Sequence, residues 1–268
     1  MKKAGIALII ALLASMTGAD QNRPENYELR IYGIVENYDW TEELGGARLV
    51  KEDGPLYGAG GELALRMTQA LWLRGRSEIV AGELDYDGYL MSEDELRPYR
   101  SDTEHVGMRL EGELGWRLPL GAGNILAPFG GLGVRAWERT LDTELGDRYI
   151  GRYGYTENWS TLYAIAGLEL VVPLNNRAEL YALCAAHIPL ANELTVDLEN
   201  VDGPDDVELE PGKETTYRAD FGLNLHPVTI SLYYETLGFS RSGLDKSGEY
   251  FQPDSEAEMI GAQIGLVF

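Results

Sequence analysis

Few stretches of this chain bring reactive side chains close together. Glu83-Leu84-Asp85-Tyr86-Asp87-Gly88, with Asp94 at the twelfth position, partly follows the spacing at which alternating oxygen ligands wrap a calcium ion in an EF-hand loop. Glu stands where that loop begins with Asp, Asp stands where it ends with a bidentate Glu, and no helical pattern flanks it. His105 has Asp102 and Glu104 beside it, with Asp85 and Asp87 on the preceding segment. A histidine among carboxylates can activate water for hydrolysis. His187-Ile188-Pro189 and Ser160 do not form the Ser–His arrangement that acyl hydrolysis needs, and His226-Pro227 reads as a turn. No residue is assigned a catalytic, cofactor-binding or metal-binding role, and no cofactor is expected.

The elements that would position such groups are legible in the hydrophobic period. Ile260, Ala262, Ile264, Leu266 and Phe268 alternate with Met259, Gly261, Gln263, Gly265 and Val267, a period of two that marks a strand with one apolar face. The same alternation recurs nine times upstream. It is clearest at Val106, Met108, Leu110, Gly112, Leu114, Trp116 and Leu118 against Gly107, Arg109, Glu111, Glu113, Gly115 and Arg117. The third segment (about 73–90) carries Arg74, Arg76 and Glu78 in one phase, and its alternation breaks near Glu83, at a bulge or above a bilayer. Each segment offers roughly 9–11 residues, enough to cross a bilayer at a tilt.

Connectors sort by length. Short ones hold Pro119–Asn124, Pro173–Asn176 and His226-Pro227; long ones lie near 40–56, 91–104, 140–156, 191–214 and 241–256. The long ones carry −16 of the net −22, and nine acids stand against the single Lys213 between Glu193 and Glu214. Thr195–Glu199 and Val207–Glu210 still alternate, so a hairpin should extend there, with its tip at Asp202-Gly203-Pro204-Asp205-Asp206. The apolar phases face outward and the charged phases inward. Arg30, Arg66, Arg76, Arg109, Arg117, Arg135 and Arg218 therefore meet Glu28, Glu36, Glu62, Glu78, Glu111, Glu113, Glu169, Glu179, Asp220 and Glu235 inside, and buried charges must pair.

Lys2 and Lys3, the apolar run Ala4–Leu13 and Thr17-Gly18-Ala19 read as a signal peptide over 1–19, which leaves 20–268 as one exported domain. No later apolar run approaches a spanning helix. The lone Cys184 cannot close an intrachain disulfide. Strong negative charge excludes nucleic acid as a partner.

The alternation, the ending Ile260–Phe268, and the stretches Phe129–Trp137 and Gly154–Tyr163 resemble small outer-membrane β-barrel proteins of Gram-negative bacteria. The resemblance implies an all-β, closed antiparallel transmembrane barrel of about ten strands in the cell outer membrane, with the first strand (Tyr27–Asp39) pairing the last. It implies short periplasmic and long extracellular connectors, and interfacial aromatic girdles to which Trp116, Trp137 and Trp159 would belong. The expected partners are outer-membrane lipid, lipopolysaccharide, the barrel-assembly machinery, and an extracellular ligand of the acidic loops. Divalent cations are a candidate bridge between those loops and lipopolysaccharide phosphates. A largely plugged, charge-paired lumen with a structural or surface-interaction role leads the readings. A narrow cation-preferring, porin-like channel and an outer-leaflet hydrolase are the alternatives. Proteases of the omptin kind also have ten strands and use acidic residues with a His at the outer rim, but only the residue types around His105 correspond.

Overall fold

The computed structural model describes residues 26–92, 95–141, 155–197 and 206–268. The expected leader, Asp94 and the tip at 202–205 lie outside them. Ten long strands close into one antiparallel barrel: β1 (Tyr27–Leu44), β2 (Ala47–Arg66), β3 (Leu71–Ser92), β4 (Glu95–Trp116), β6 (Asn124–Leu141), β7 (Thr156–Asn175), β8 (Ala178–Asp197), β10 (Thr216–Leu225), β11 (Val228–Phe239) and β12 (Asp254–Val267). Two short strands are accessory: β5 (Leu118–Gly121) pairs with β6, and β9 (Val207–Leu209) pairs with β8. The barrel closes through β1 on β12, from Arg30 opposite Val267 to Glu43 opposite Asp254, and through β8 on β10.

Leu110, Leu114, Leu132, Leu168, Phe221, Leu232, Ile260 and Ile264 stand exposed on the outside, while Glu62, Arg74, Glu78, Arg109, Glu111 and Glu235 are buried inside. This distribution inverts that of a soluble protein and is the one lipid requires. Toward the long-loop end, the pattern inverts again without any change of phase. On β3 the outward residues pass from Ile79 to Glu83 and Asp85, and the inward ones from Glu78 to Leu84 and Tyr86. The same happens on β1, where Asp39 faces out and Tyr38 and Trp40 face in. The β3–β4 ladder runs unbroken from Leu71–Trp116 to Ser92–Glu95, so the bulge expected near Glu83 is absent. The strand has left the lipid, and its two faces have exchanged solvents.

Strands of 18–22 residues are accordingly twice the length a bilayer demands. The connector expected over 40–56 is mostly strand. Its turn is Gly45-Gly46 alone, at φ 61° and 82°, a pair of positive values that suits a tight hairpin. The hairpin expected beyond residue 193 is present, with Leu194 opposite Leu209 and Val196 opposite Val207.

Inward glycines receive aromatic rings from adjacent strands. A Cβ on Gly133 would overlap the ring of Tyr163, its cross-strand partner, and one on Gly222 would overlap Tyr181. Gly133→Ala should therefore destabilise the barrel by roughly 1–3 kcal/mol through overpacking. Denaturant unfolding in detergent micelles checks this; an unchanged midpoint would show that the ring can move aside.

Candidate functional site

The lumen holds the protein's concentrated chemistry, arranged in tiers along the barrel axis. At the short-turn end, Arg74 on β3 meets Glu113 at 2.6 Å and Glu169 at 3.3 Å, with its guanidinium 4.6 Å over the Trp72 ring. Arg76 joins Glu62 at 3.2 Å and Glu111 at 3.5 Å. These groups come from β2, β3, β4 and β7; most of the pairs join neighbouring strands, and Arg74–Glu169 reaches across the lumen from β3 to β7.

The middle tier centres on Glu235 of β11, which is fully buried. Arg109 donates to it at 2.7 Å and 2.9 Å, Arg218 at 3.1 Å, and Arg135 also donates to it. Arg218 forms a two-pronged bond with Asp220 at 2.8 Å and 2.9 Å. Tyr32 and Gln263 donate to Glu78, Tyr163 to Glu111, and Tyr233 to Glu36. Planar guanidinium forks supply several directed donors each, which lets one arginine serve two or three acids.

Above this lies an apolar tier that the loop-end halves of the strands supply. Trp137 stacks on Trp159 at 5.2 Å; Trp40 meets Trp159 edge-on at 5.5 Å, and Phe239 lies 5.0 Å from Trp159. Leu56, Leu84, Leu194, Val207, Leu209 and Leu237 pack around them. Trp137 and Trp159 are thus core residues, not members of the interfacial girdle where the sequence reading put them. Trp116, 52 % exposed on the outer face, does sit where a girdle belongs.

Buried within that tier is one more ion cluster. Arg139 contacts Glu52 at 2.6 Å, Glu157 at 2.8 Å and Glu42 at 3.3 Å, and the Trp40 and Trp159 indoles donate to Glu42 and Glu157. Burial pushes Glu42 and Glu52 above the usual carboxylate range, while the Arg139 charge opposes the shift. The sequence reading missed this cluster because Glu42 and Glu52 fell in what it treated as a loop. At the surface, Asp245 accepts backbone N–H bonds from Ser247, Glu249 and Tyr250, which hold its carboxyl well below the usual range.

The residues first considered for chemistry are not brought together. His105 is buried in the lumen with its ring 5.0 Å from that of Tyr38, and its Nδ1 has no hydrogen-bond partner. It borders an internal cavity of about 60 Å³ between the ionic and aromatic tiers. Asp85, Asp102 and Glu104 face the opposite side of the wall, and Asp87 pairs with Arg100 at 3.4 Å. His187 lies between Glu111 at 3.9 Å and Glu235 at 3.8 Å, against the Tyr163 ring, while Ser160 belongs to the outward phase of β7. Cys184 is exposed on the outer face. Among the described residues, no group of three or more His, Cys, Asp or Glu could hold a metal ion.

No family model and no curated protein matches the chain. Solved structures do. The outer-membrane protease OmpT of Escherichia coli superposes with a TM-score of 0.65 at 10% identity, over 94% of this chain and 99% of that one. The fold is that of an outer-membrane β-barrel. The NalP autotransporter translocator domain of Neisseria meningitidis (TM-score 0.47, 17% identity, 97% of this chain and 95% of that one) is more distant in shape. So is OprG of Pseudomonas aeruginosa (0.40, 12%, 90% and 96%). In this setting the apolar outer band meets lipid.

Removing Arg139 would leave three buried carboxylates facing one another. Arg139→Ala should cost about 3–5 kcal/mol, the range for breaking a buried ion pair. The raised Glu42 and Glu52 fix the sign of the pH effect. As pH rises above the ordinary carboxylate range, the unfolded chain gives up these protons while the folded chain keeps them, so stability falls until the raised values are passed. Glu52→Gln should therefore flatten the decline in unfolding midpoint between acid and neutral pH. An Arg139→Ala barrel as stable as the parent, or a Glu52→Gln variant with the parent's pH profile, would contradict this account.

Proposed function

We propose that the chain is a closed scaffold of the outer membrane, which displays acidic loops to the exterior and passes no solute. The observation that carries this reading is the aromatic tier of Trp40, Trp137, Trp159 and Phe239 across the outer end of the lumen, backed by the Glu235 ion cluster beneath it. Ten strands make a barrel little wider than one that side chains fill. A narrow cation-preferring channel would need a continuous wet path through that tier. An outer-leaflet hydrolase of the kind the residue types around His105 suggest would need that histidine beside Asp85, Asp102 or Glu104, and those carboxylates occupy the opposite face of the wall.

The partner this reading names is the lipopolysaccharide leaflet, bridged by divalent cations. Glu258, Asp39, Asp53, Asp85 and Asp102 stand directly opposite one another across β12, β1, β2, β3 and β4, just above the apolar band. Like charges in such a row repel. Lys51, at 3.1 Å from Asp39 and 3.5 Å from Asp53, relieves only part of it. A cation shared with lipid phosphates would relieve the rest, since hard oxygens suit Ca²⁺ and Mg²⁺.

Purified protein in a planar bilayer should give no sustained conductance. A steady cation-selective current would promote the channel reading. Chelating divalent cations should lower the melting temperature of the barrel in lipopolysaccharide-containing bilayers and leave it unchanged in phospholipid ones; equal behaviour in both would remove the cation bridge. Protease added to intact cells should cut within 191–214 and spare the turn at 173–176. Cleavage confined to the short turns would mean the opposite orientation.

A further inference from the structure

The periplasmic end of the lumen has a charge arrangement that a closed scaffold does not use. The short turns and the strand ends beside them carry Arg66, Arg117, Arg177 and His226, and the turn residues themselves include no acid, in a chain of net charge −22. Arg66 and Arg117 lie in the inward phase and line an open cup of about 340 Å³. Trp72 lies between them, opposite Arg66 on one side and opposite Gly115, two residues before Arg117, on the other.

The cup's other arginines are already committed, Arg30 to Glu28 at 2.7 Å and Arg74 to Glu169 at 3.3 Å. Arg66 and Arg117 have no ion-pair partner among the described residues. The strand order sets β8 and β10 across the ring from β3. On that far wall Glu179 lines the same cup, accepts one bond from Asn224 at 2.8 Å, and contacts no cation among the described residues. One wall thus offers two guanidinium groups with no ion-pair partner among the described residues, and the wall facing it offers a carboxylate.

We propose that this periplasmic cup binds a small zwitterion of the short-peptide class, with its carboxylate on Arg66 and Arg117 and its ammonium group on Glu179. A simple anion would be drawn to one wall and repelled by the other, and a simple cation would meet the reverse. A molecule with both charges satisfies both walls at once, and guanidinium forks match a carboxylate in shape. The volume falls in the range of small-molecule sites, roughly 300–1,000 Å³, and Trp72, Ile125 and Val171 give it an apolar lining suited to small side chains.

The test is calorimetric titration of the full chain in detergent micelles with trialanine, N-acetyl-trialanine and trialanine amide. Trialanine should bind saturably. Each capped form lacks one charge-assisted bond and should bind roughly 10- to 100-fold more weakly. The double variant R66Q/R117Q should lose the preference for trialanine over its amide, and Glu179→Gln should lose the preference over the acetylated form. Heat-dependent electrophoretic mobility shows whether each variant retains the barrel, and the capped peptides test the unmodified protein without any variant. No saturable binding of trialanine, a capped form that binds as tightly as trialanine, or preferences unchanged in folded variants would each overturn the proposal.

Discussion

The constraint on which everything else depends is that a transmembrane strand has only two faces, and lipid claims one of them. With Leu110, Leu132 and Ile264 committed outward, the alternate positions must point into a narrow lumen. An all-apolar filling would make each strand apolar on both faces, a run with little to specify which face meets lipid. Charged and aromatic residues inside remove that ambiguity. A slip of one residue at Arg109 would put a guanidinium into the bilayer, where it costs about 2–4 kcal/mol at the midplane. The lumen charges therefore fix register as well as fill volume.

Their own energetics depend on completeness. A buried ion pair gains little over an apolar replacement, while a broken one leaves a desolvated charge. Glu235 illustrates how the barrel meets this condition: Arg109 and Arg218 anchor it, Arg135 adds a third donor, and His187 stands alongside. Each of those residues comes from a different strand, so closure of the ring completes the network. Gly133 beneath Tyr163 shows the packing counterpart, since a ring can turn toward Glu111 only where the neighbouring strand lacks a Cβ.

How much of this the sequence revealed follows from where the period of two keeps one meaning. Within the bilayer, Val106 to Trp116 read correctly in both phases, and so did closure of the first strand on the last. Two of the connectors expected to be long did not hold, because 40–56 shrinks to the turn Gly45-Gly46 and most of 91–104 is strand β4. Above the bilayer the period persists but its meaning reverses. Trp40 and Glu42 looked like loop residues because the apolar phase had moved inward and the charged phase outward. Leu84 looked like the breakdown of a strand for the same reason. The pairing of Arg139 with Glu52 and Glu157 was out of reach because it joins β2, β6 and β7, and Glu52 fell in the connector expected over 40–56. His105 misled in another way. Its acidic neighbours Glu104 and Asp102 are one and three residues away in sequence, and in a strand an odd offset is the opposite side of the wall.

That last point bears on what the likeness to a barrel protease can mean. A TM-score of 0.65 over nearly the whole of both chains describes a shared wall, and at 10% identity it describes little else. Function in such a barrel depends on which side chains the loop-end strands turn inward. Here they turn in Trp40, Trp137, Trp159, Leu84 and Leu194, and they turn Asp85, Asp102 and Glu104 out. An inward apolar tier stabilises the loop-end half of a long barrel much as a core stabilises a soluble protein. Both choices are ones that the proposed scaffold would use. The short-turn end differs, because there Arg66 and Arg117 line a cup with no ion-pair partner among the described residues, which is the arrangement the proposed binding site uses.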